Sequence, residues 1–358
     1  MDNARNRALT LRATFEAAGA MIVEPPILQP ADTLLDLYGE DIRARAYIAS
    51  DALRGEQMLR PDFTVPVVQM HMADGAEPAR YTYTGKVFRR QEDDLDKASE
   101  FLQVGYEVFD RSHPAATDAE VFALVSESVS HLDVRASTGD IGILMAAVCG
   151  LKTSERRKAA LIRHLWRPRR FRALLDRFSG RSTVPKSRIS LLASSDPFEN
   201  VGAVVGRRTR SEIYARVDAL HADAKTAPIS TSEMDVIDTL LNVRETVPVA
   251  IEKLRDLAVD MPAISQAVEG LQARSEALSQ RGIDVDDLLF EASYGRASME
   301  YYDGFVFGFY ANGRSDLPAV ASGGRYDALT KRLGDGVEIP AVGAVLRPGL
   351  LIELEGSQ

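Results

Sequence analysis

Apolar residues recur at helical spacing near the start of the chain, and strand-like segments follow. The apolar positions are mostly at helical spacing, and Gly19 is a plausible terminator of that run: Ala8, Leu9, Leu11, Ala13, Phe15 and Ala18. Residues 81–89 and 101–109 then alternate in the manner of two antiparallel strands joined by a loop. Between them and the first run, an apolar stretch at 66–72 predicts a helix with Thr64 as its cap.

The pattern of residue types changes twice along the chain. Residues 152–285 combine Ala, Leu and charged residues with helical periodicity, whereas strand-like, aromatic-rich segments return after residue 286. We therefore expect an α+β fold in which residues 1–151 and 286–358 form one antiparallel sheet domain. A mainly helical insert, residues 152–285, interrupts it.

Composition places the protein in the soluble globular class, with 45% hydrophobic and 27% charged residues. The longest apolar stretch, residues 141–151, is too short to cross a bilayer, and the N-terminal segment does not resemble a signal peptide. We expect a cytoplasmic protein without membrane contact. The single cysteine, Cys149, lies in that apolar stretch and is expected to be a buried structural thiol. The five histidines show no ligand spacing, so neither a metal nor a cofactor is expected.

The charge is unevenly distributed. The net charge of −9 argues against a general nucleic-acid surface, yet residues 151–190 hold 13 Lys and Arg against two acidic residues. Such a run is usually a solvated helix face, and the alternative is a docking surface for an acidic partner or RNA.

The candidate chemistry lies on the strand-like segments. Gln103 and Glu107 are four positions apart, an even spacing, and therefore face the same side of their strand. Asp62, Thr64 and Arg89 come from neighbouring segments. One interpretation is an ordinary solvent-facing side of a sheet. The other is a site for a small zwitterion, with carboxylates for its ammonium and arginine for its carboxylate.

The loop between the two strands carries the wrong charge for a phosphate site. Phosphate oxygens are bound by guanidinium and ammonium donors, and this loop offers one lysine, Lys97. Its acidic residues are Glu92, Asp93, Asp94, Asp96 and Glu100.

Six segments, in this order and approximate spacing, resemble the histidyl-tRNA synthetases, a class II synthetase family. They read LRPDFTVPVVQ, YTGKVFRR, FLQVGYEVF, MEYYDGFVF, SGGRYDAL and IPAVGAV. The resemblance runs from about residue 5 to 352 and is weakest in the insert. It implies a class II synthetase-like antiparallel sheet flanked by helices, and a dimer formed partly through the first helix and strand.

The resemblance also implies a histidine pocket. That pocket maps onto seven positions: Asp62, Thr64, Arg89, Gln103, Glu107, Tyr302 and Tyr326. Asp62 stands where the synthetase has a glutamate, which shortens one arm of the pocket. Tyrosine hydroxyls at the last two positions are suited to orienting imidazole nitrogens.

The ATP-binding and catalytic positions differ from those of the synthetases. Ala297 aligns with the catalytic arginine of the synthetases, and the loop between the two predicted strands is acidic. The late G-x-E-R motif becomes residues 347–350, Arg-Pro-Gly-Leu. Arg296 is one residue away from the catalytic position and would project differently in an extended segment. Adenylyl transfer requires positive charge against the developing phosphate charge. No catalytic residue is therefore expected, and no anticodon-binding domain is expected after the last motif.

A retained pocket without catalytic residues resembles the regulatory subunits of ATP phosphoribosyltransferase, which are synthetase paralogues in histidine biosynthesis. The resemblance implies a non-catalytic, dimeric subunit that joins a short-form catalytic subunit in a hetero-oligomer and binds histidine for feedback control. Two alternatives remain: a divergent histidine-activating enzyme, and a synthetase-like RNA-binding module that uses the basic segment.

Overall fold

The computed structural model describes residues 2–38, 42–91, 98–198, 205–296 and 301–356. The acidic loop residues 92–97 and the aligned positions 297–300 lie outside these ranges, so the predictions made for them have no structural counterpart here.

Twelve strands form two sheets in the described residues. In chain order the strands are β1 (Met21–Ile22), β2 (Leu28–Pro30), β3 (Ile48–Asp51), β4 (Gly55–Leu59), β5 (Ala79–Phe88), β6 (Glu100–Phe109), β7 (Val134–Asp140), β8 (Arg244–Thr246), β9 (Leu289–Glu291), β10 (Phe305–Ala311), β11 (Ala321–Arg325) and β12 (Ala341–Leu346). The large sheet has the order β1-β5-β6-β12-β11-β10-β7-β9-β8, and the small one has the order β2-β4-β3. Within the large sheet, each neighbouring pair in the series β5-β6-β12-β11-β10-β7 is antiparallel. The pairs β1 with β5 and β7 with β9 are parallel.

Fifteen α-helices accompany these strands in the described part of the chain. They are α1 (Asp2–Ala17), α2 (Ala31–Tyr38), α3 (Ile42–Arg45), α4 (Thr64–Asp74), α5 (Pro114–Val129), α6 (Ile141–Gly150), α7 (Glu155–Arg163), α8 (Pro168–Phe178), α9 (Lys186–Ala193), α10 (Arg210–Lys225), α11 (Thr231–Leu241), α12 (Val247–Asp260), α13 (Ser265–Gln280), α14 (Asp327–Leu333) and α15 (Pro348–Glu355). The antiparallel core of the sheet, flanked by helices, confirms the expected fold class.

The two faces of the large sheet have different partners. On one face, Phe15 of α1 packs against Tyr106 of β6 with 5.3 Å between ring centroids, and Phe122 of α5 packs against Phe307 of β10 at 5.1 Å. These side chains are buried, so the helical spacing in α1 serves the core as expected. The opposite face carries the odd-numbered residues of β6, including Gln103 and Glu107.

Helices α7 to α13 fill most of residues 152–285, and strand β8 connects them to the sheet through β9. A buried ion cluster provides a second connection. Arg274 of α13 donates to Asp118 of α5 at 2.9 Å and to Asp140 at the end of β7, and Asp118 also accepts from Arg325 of β11 at 2.7 Å. The helices are thus held to the core by charged groups that are shielded from water.

The expectation of a buried thiol at Cys149 is wrong. Cys149 is exposed, because it lies in the last turn of α6 on the side away from the buried residues Leu144, Ala147 and Val148. The part of the chain described here contains no helix both long and apolar enough to span a bilayer.

Candidate functional site

Glycines on one face of the large sheet allow side chains to lie directly against the backbone. The register places Glu107 opposite Gly343, and Gly343 opposite Gly324. A Cβ atom at Gly343 would collide with the Glu107 carboxyl, and one at Gly324 would lie 2.8 Å from the Tyr302 ring. Glycine at these positions permits the close approach that a larger residue would prevent.

Glu107 is the centre of the site and is almost completely buried. Its Oε1 accepts hydrogen bonds from Thr64 Oγ1 at 3.0 Å and Tyr83 Oη at 2.8 Å, while Oε2 accepts from Tyr326 Oη at 2.5 Å. Burial raises the pKa of Glu107 to about 7, even though these hydroxyl donors favour the ionised form. A carboxylate has about four lone-pair positions, so roughly one remains for a further donor.

Thr64 does not cap its helix as the sequence suggested. Helix α4 begins at Thr64 itself, and its N-cap, Phe63, makes no side-chain cap hydrogen bond. The Thr64 hydroxyl instead donates to Glu107. The strand pairing that brings Glu107 to this hydroxyl joins residues far apart in sequence, and local capping rules do not include such pairs.

Asp62 lies buried beside the same helix start. Its Oδ1 accepts from the Val65 backbone N at 3.3 Å, and burial raises its pKa despite the nearby positive charge of Arg89. Two buried carboxyls, Asp62 and Glu107, therefore lie near each other. The charge of Asp62 adds to the rise in the pKa of Glu107, and both carboxyls raise the pKa of Tyr302. Such a pair favours a cationic ligand, which would relieve both.

Gln103 is fully buried, and neither its amide oxygen nor its amide nitrogen has a hydrogen-bond partner. Buried amides normally have partners, because leaving one unsatisfied costs roughly 1–3 kcal/mol. Its strand direction places it on the same sheet face as Glu107, so it offers a donor and an acceptor to a ligand there.

Arg89 lies at the other side of Asp62, just after β5. Its Nε donates to the Pro61 carbonyl at 2.8 Å, and its guanidinium lies 5.4 Å from the Phe101 ring centroid. This leaves the remaining guanidinium N–H groups, which are half-buried, available for an anion.

The two tyrosines implied by the resemblance come to the same place from distant segments. Tyr326 donates to Glu107 as described, and Tyr302 lies over Gly324. Tyr301 lies between them, with ring centroids 4.9 Å from Tyr302 and 6.1 Å from Tyr326. All seven positions of the expected pocket thus lie on or beside one sheet face.

Sequence reasoning missed Tyr83, which donates to Glu107 and stacks on Phe63 at 4.2 Å. A Cβ at Gly105 would collide with the Tyr83 ring, so this tyrosine covers β6 between Gln103 and Glu107. Strand alternation already placed Tyr83 on that face, but only the register with Gly105 shows why the ring fits.

Arg296 does project away from the site. It is buried, its Nε donates to the Leu165 carbonyl at 3.0 Å, and its guanidinium lies 4.8 Å from the Phe171 ring centroid. It contacts the turn between α7 and α8 and does not take the place of the catalytic arginine of the synthetases. Among the described residues there is no group of His, Cys, Asp or Glu that could hold a metal ion.

The arrangement combines buried acids, an unsatisfied amide and arginine around a closely packed sheet face. These are the groups that a small zwitterion with an additional cationic or hydrogen-bonding ring requires. Within the described residues, the groups that line the site are suited to binding and orientation.

Comparison with known proteins identifies the family of the chain. The histidyl-tRNA synthetase family matches residues 2–201 and 210–349. Relatives named ATP phosphoribosyltransferase regulatory subunit, from Brucella anthropi and Brucella ovis, are each 33% identical over 359 residues, which cover 93% of this chain and 93% of the relative.

Solved structures show the same fold. A protein from Bacillus halodurans described as an ATP phosphoribosyltransferase regulatory subunit/histidyl-tRNA synthetase superposes with a TM-score of 0.69 at 22% identity, covering 99% of this chain and 79% of that one. A histidyl-tRNA synthetase from Nostoc gives 0.64 at 20% identity, with 99% and 72% coverage. Together with the sequence relatives, these matches show that the chain belongs to the family of ATP phosphoribosyltransferase regulatory subunits, which share the histidyl-tRNA synthetase fold.

Proposed function

We propose that this chain is the non-catalytic regulatory subunit of an ATP phosphoribosyltransferase in histidine biosynthesis, acting in the cytoplasm on a short-form catalytic subunit. Family membership at 33% identity over 93% of the chain is the observation that carries the proposal. The chain supports the activity of its partner and makes it responsive to histidine.

Histidine is the proposed ligand of the site. Its ammonium group suits Asp62, its imidazole suits Glu107 and Tyr326, and Gln103 supplies an amide that now lacks a partner. Feedback requires that histidine bind one state of the assembly more tightly than another, typically with a coupling of about 1–3 kcal/mol.

The proposed homodimer has a suitable surface. Strand β1 is the edge of the large sheet, and Met21 and Ile22 on it are 59% and 45% exposed. Leu9 on α1 and Ile27 and Leu28, which follow β1 in the chain, are also exposed. A strand edge with exposed apolar side chains favours association with a second copy of the chain.

The basic segment at 151–190 does not favour RNA as the ligand, because acidic residues outside it neutralise several of its charges. Asp223 pairs with both Arg157 and Arg188 at 2.6 Å, and Asp238 pairs with Arg172 at 2.5 Å and with Arg181 at 3.1 Å. We also propose that the chain is divided into a synthetase-like core, residues 1–151 and 286–358, and a mainly helical insert, residues 152–285.

The proposal is tested by mixing the full chain with a short catalytic subunit and measuring ATP phosphoribosyltransferase activity with and without histidine. We expect the chain to raise activity and histidine to lower it. No change on mixing would overturn the regulatory role. Histidine-dependent exchange of pyrophosphate into ATP by the chain alone would instead support the activating enzyme.

A further inference from the structure

An arginine outside the expected pocket, Arg347, lies at the end of the site opposite Glu107. It directly follows β12, and its backbone N donates to the Val320 carbonyl at 2.9 Å. The register of β12 with β6 ends at Leu346 opposite Val104, so the next residue, Arg347, comes opposite Gln103. Arg347 and the unsatisfied Gln103 amide therefore lie side by side.

Two positive charges meet at this end of the site. Burial, together with the smaller effect of the nearby charge of Arg89, lowers the pKa of Arg347 to about 10. Within the ranges that the structure describes, neither arginine forms an ion pair. The hydrogen bonds of their side chains go to backbone carbonyls, from Arg89 to Pro61 and from Arg347 to Ala319. Asp62 offsets part of the charge of Arg89, and two neighbouring cations in a partly buried position still favour a further anion.

We propose that Arg347, together with Arg89, receives the carboxylate of the amino acid bound at Glu107, and so makes the site specific for a free amino acid. This inference rests on the proposed function and specifies how its ligand is held. Gln103 donates to the same carboxylate from the adjacent strand.

The dimensions of the sheet fit one amino acid between the two ends. Gln103 and Glu107 are four positions apart on an extended strand, about 13 Å between Cα atoms. Tyr83 covers β6 between them, so the ligand is placed over the neighbouring strand β12, where Gly343 has no side chain. An imidazole at Glu107 and a carboxylate at Arg347 would bridge that distance. The ammonium between them then lies within reach of Asp62.

The sheet face beyond Arg347 is closed by a tyrosine pair. A Cβ at Gly308 would collide with the Tyr294 hydroxyl, which therefore lies against the backbone of β10, and the Tyr294 and Tyr310 hydroxyls are 2.9 Å apart. Both tyrosines are close enough to Arg347 for their charge to affect its pKa. The pair covers this part of the sheet face, which favours a small group such as a carboxylate over a nucleotide at this end of the site.

Arg347 aligns with neither of the two arginine positions of the synthetases. The position aligned with the catalytic arginine of the synthetases is Ala297, and the arginine of their late motif aligns with Leu350. Arg347 stands instead at the glycine of that motif. The positive charge at this end of the site is thus supplied from a different residue.

The test compares histidine with histidinol, which lacks the carboxylate, by calorimetry on the full chain. We expect wild type to bind histidine about 10- to 100-fold more tightly than histidinol, as expected for a charge-assisted contact. In Arg347→Gln the two affinities should become similar, with histidinol binding retained, and Arg347→Lys should recover part of the preference. The matched control is Arg314→Gln, at a partly exposed arginine that pairs with Asp316 and Glu353.

Each outcome decides the question. An unchanged preference for histidine in Arg347→Gln would overturn the carboxylate role and leave the proposed function intact. Equal loss of both ligands would show that Arg347 acts only on the structure of the site. Binding of pyrophosphate or ATP that depends on Arg347 and exceeds that of histidine would replace the carboxylate with phosphate. Binding of neither histidine nor histidinol to wild type would refute the proposed function and this inference with it.

Discussion

Replacing Glu107 by glutamine should raise the stability of the ligand-free protein relative to wild type as the pH becomes alkaline. Glu107 is buried, and its pKa rises from an ordinary 4.5 to about 7. Between these pH values the folded state keeps a proton on Glu107 that the unfolded state has lost. The stability of wild type therefore falls as pH rises through this window, and it stays low above pH 7.

The magnitude follows from the same two values. At about 1.4 kcal/mol per pH unit, the difference between 4.5 and about 7 corresponds to about 3 kcal/mol. Glutamine does not titrate, so the Glu107→Gln protein lacks this loss. Hydrogen bonds from Thr64, Tyr83 and Tyr326 also change in the variant, but that contribution is nearly independent of pH.

The assay is urea unfolding of both proteins at pH 4.5 and pH 8. The free energy of unfolding of Glu107→Gln minus that of wild type should be about 3 kcal/mol larger at pH 8 than at pH 4.5. Glu120→Gln is a control of opposite sign. Burial works against ionisation of Glu120, but hydrogen bonds from Arg80 and Tyr106 prevail and hold its pKa below 4.5. Removing that carboxylate should cost more at pH 8 than at pH 4.5.

A difference that does not change with pH would refute the reasoning, since it would mean that Glu107 has the same pKa in the folded and unfolded states. The hydroxyl donors would then balance the burial of the carboxylate. A difference that decreases toward pH 8 would also refute it, because the folded pKa would then lie below 4.5 and the donors would outweigh burial.

Three further changes test the packing of the site and the surfaces around it. Arg274→Met should lower the free energy of unfolding by about 3–5 kcal/mol, because it leaves Asp118 and Asp140 as buried charges without this partner; urea unfolding at pH 7 measures this, and a loss under 1 kcal/mol would contradict it. Gly343→Ala should push the Glu107 carboxyl aside and weaken histidine binding at least tenfold with a stability cost of about 1–3 kcal/mol; calorimetry and unfolding together separate the two effects, and unchanged affinity would show that Glu107 is not a ligand contact. Met21→Lys should shift the protein toward monomer in analytical ultracentrifugation, because it places a charge on the exposed edge strand; an unchanged mass distribution would place the dimer contact elsewhere.

Sequence pattern predicted the main strand pair well. Residues 81–89 and 101–109 were expected to be antiparallel strands. Strands β5 and β6 pair in that way, with Ala79 opposite Phe109 at one end and Phe88 opposite Glu100 at the other. Alternation alone also placed Gln103 and Glu107 on one face, because the period of a strand is two residues.

Other features depend on contacts between distant segments. Thr64 was expected to cap a helix, but Glu107 from β6 takes its hydroxyl, and no local rule contains that competition. Cys149 lies within an apolar run, yet helix α6 turns it outward. Arg347 was proposed as a ligand contact only from the strand register, which ends with Leu346 opposite Val104 and so directs the next residue toward Gln103.

The most direct test of the central claim is histidine inhibition of the assembly formed with a short catalytic subunit, using wild type and Glu107→Gln in parallel. We predict that histidine inhibits the wild-type assembly and that the variant assembly keeps its activity but needs at least tenfold more histidine, since the variant lacks the carboxylate contact. The catalytic subunit alone provides the baseline. Identical inhibition curves for the two assemblies would show that histidine acts elsewhere and would contradict the claim.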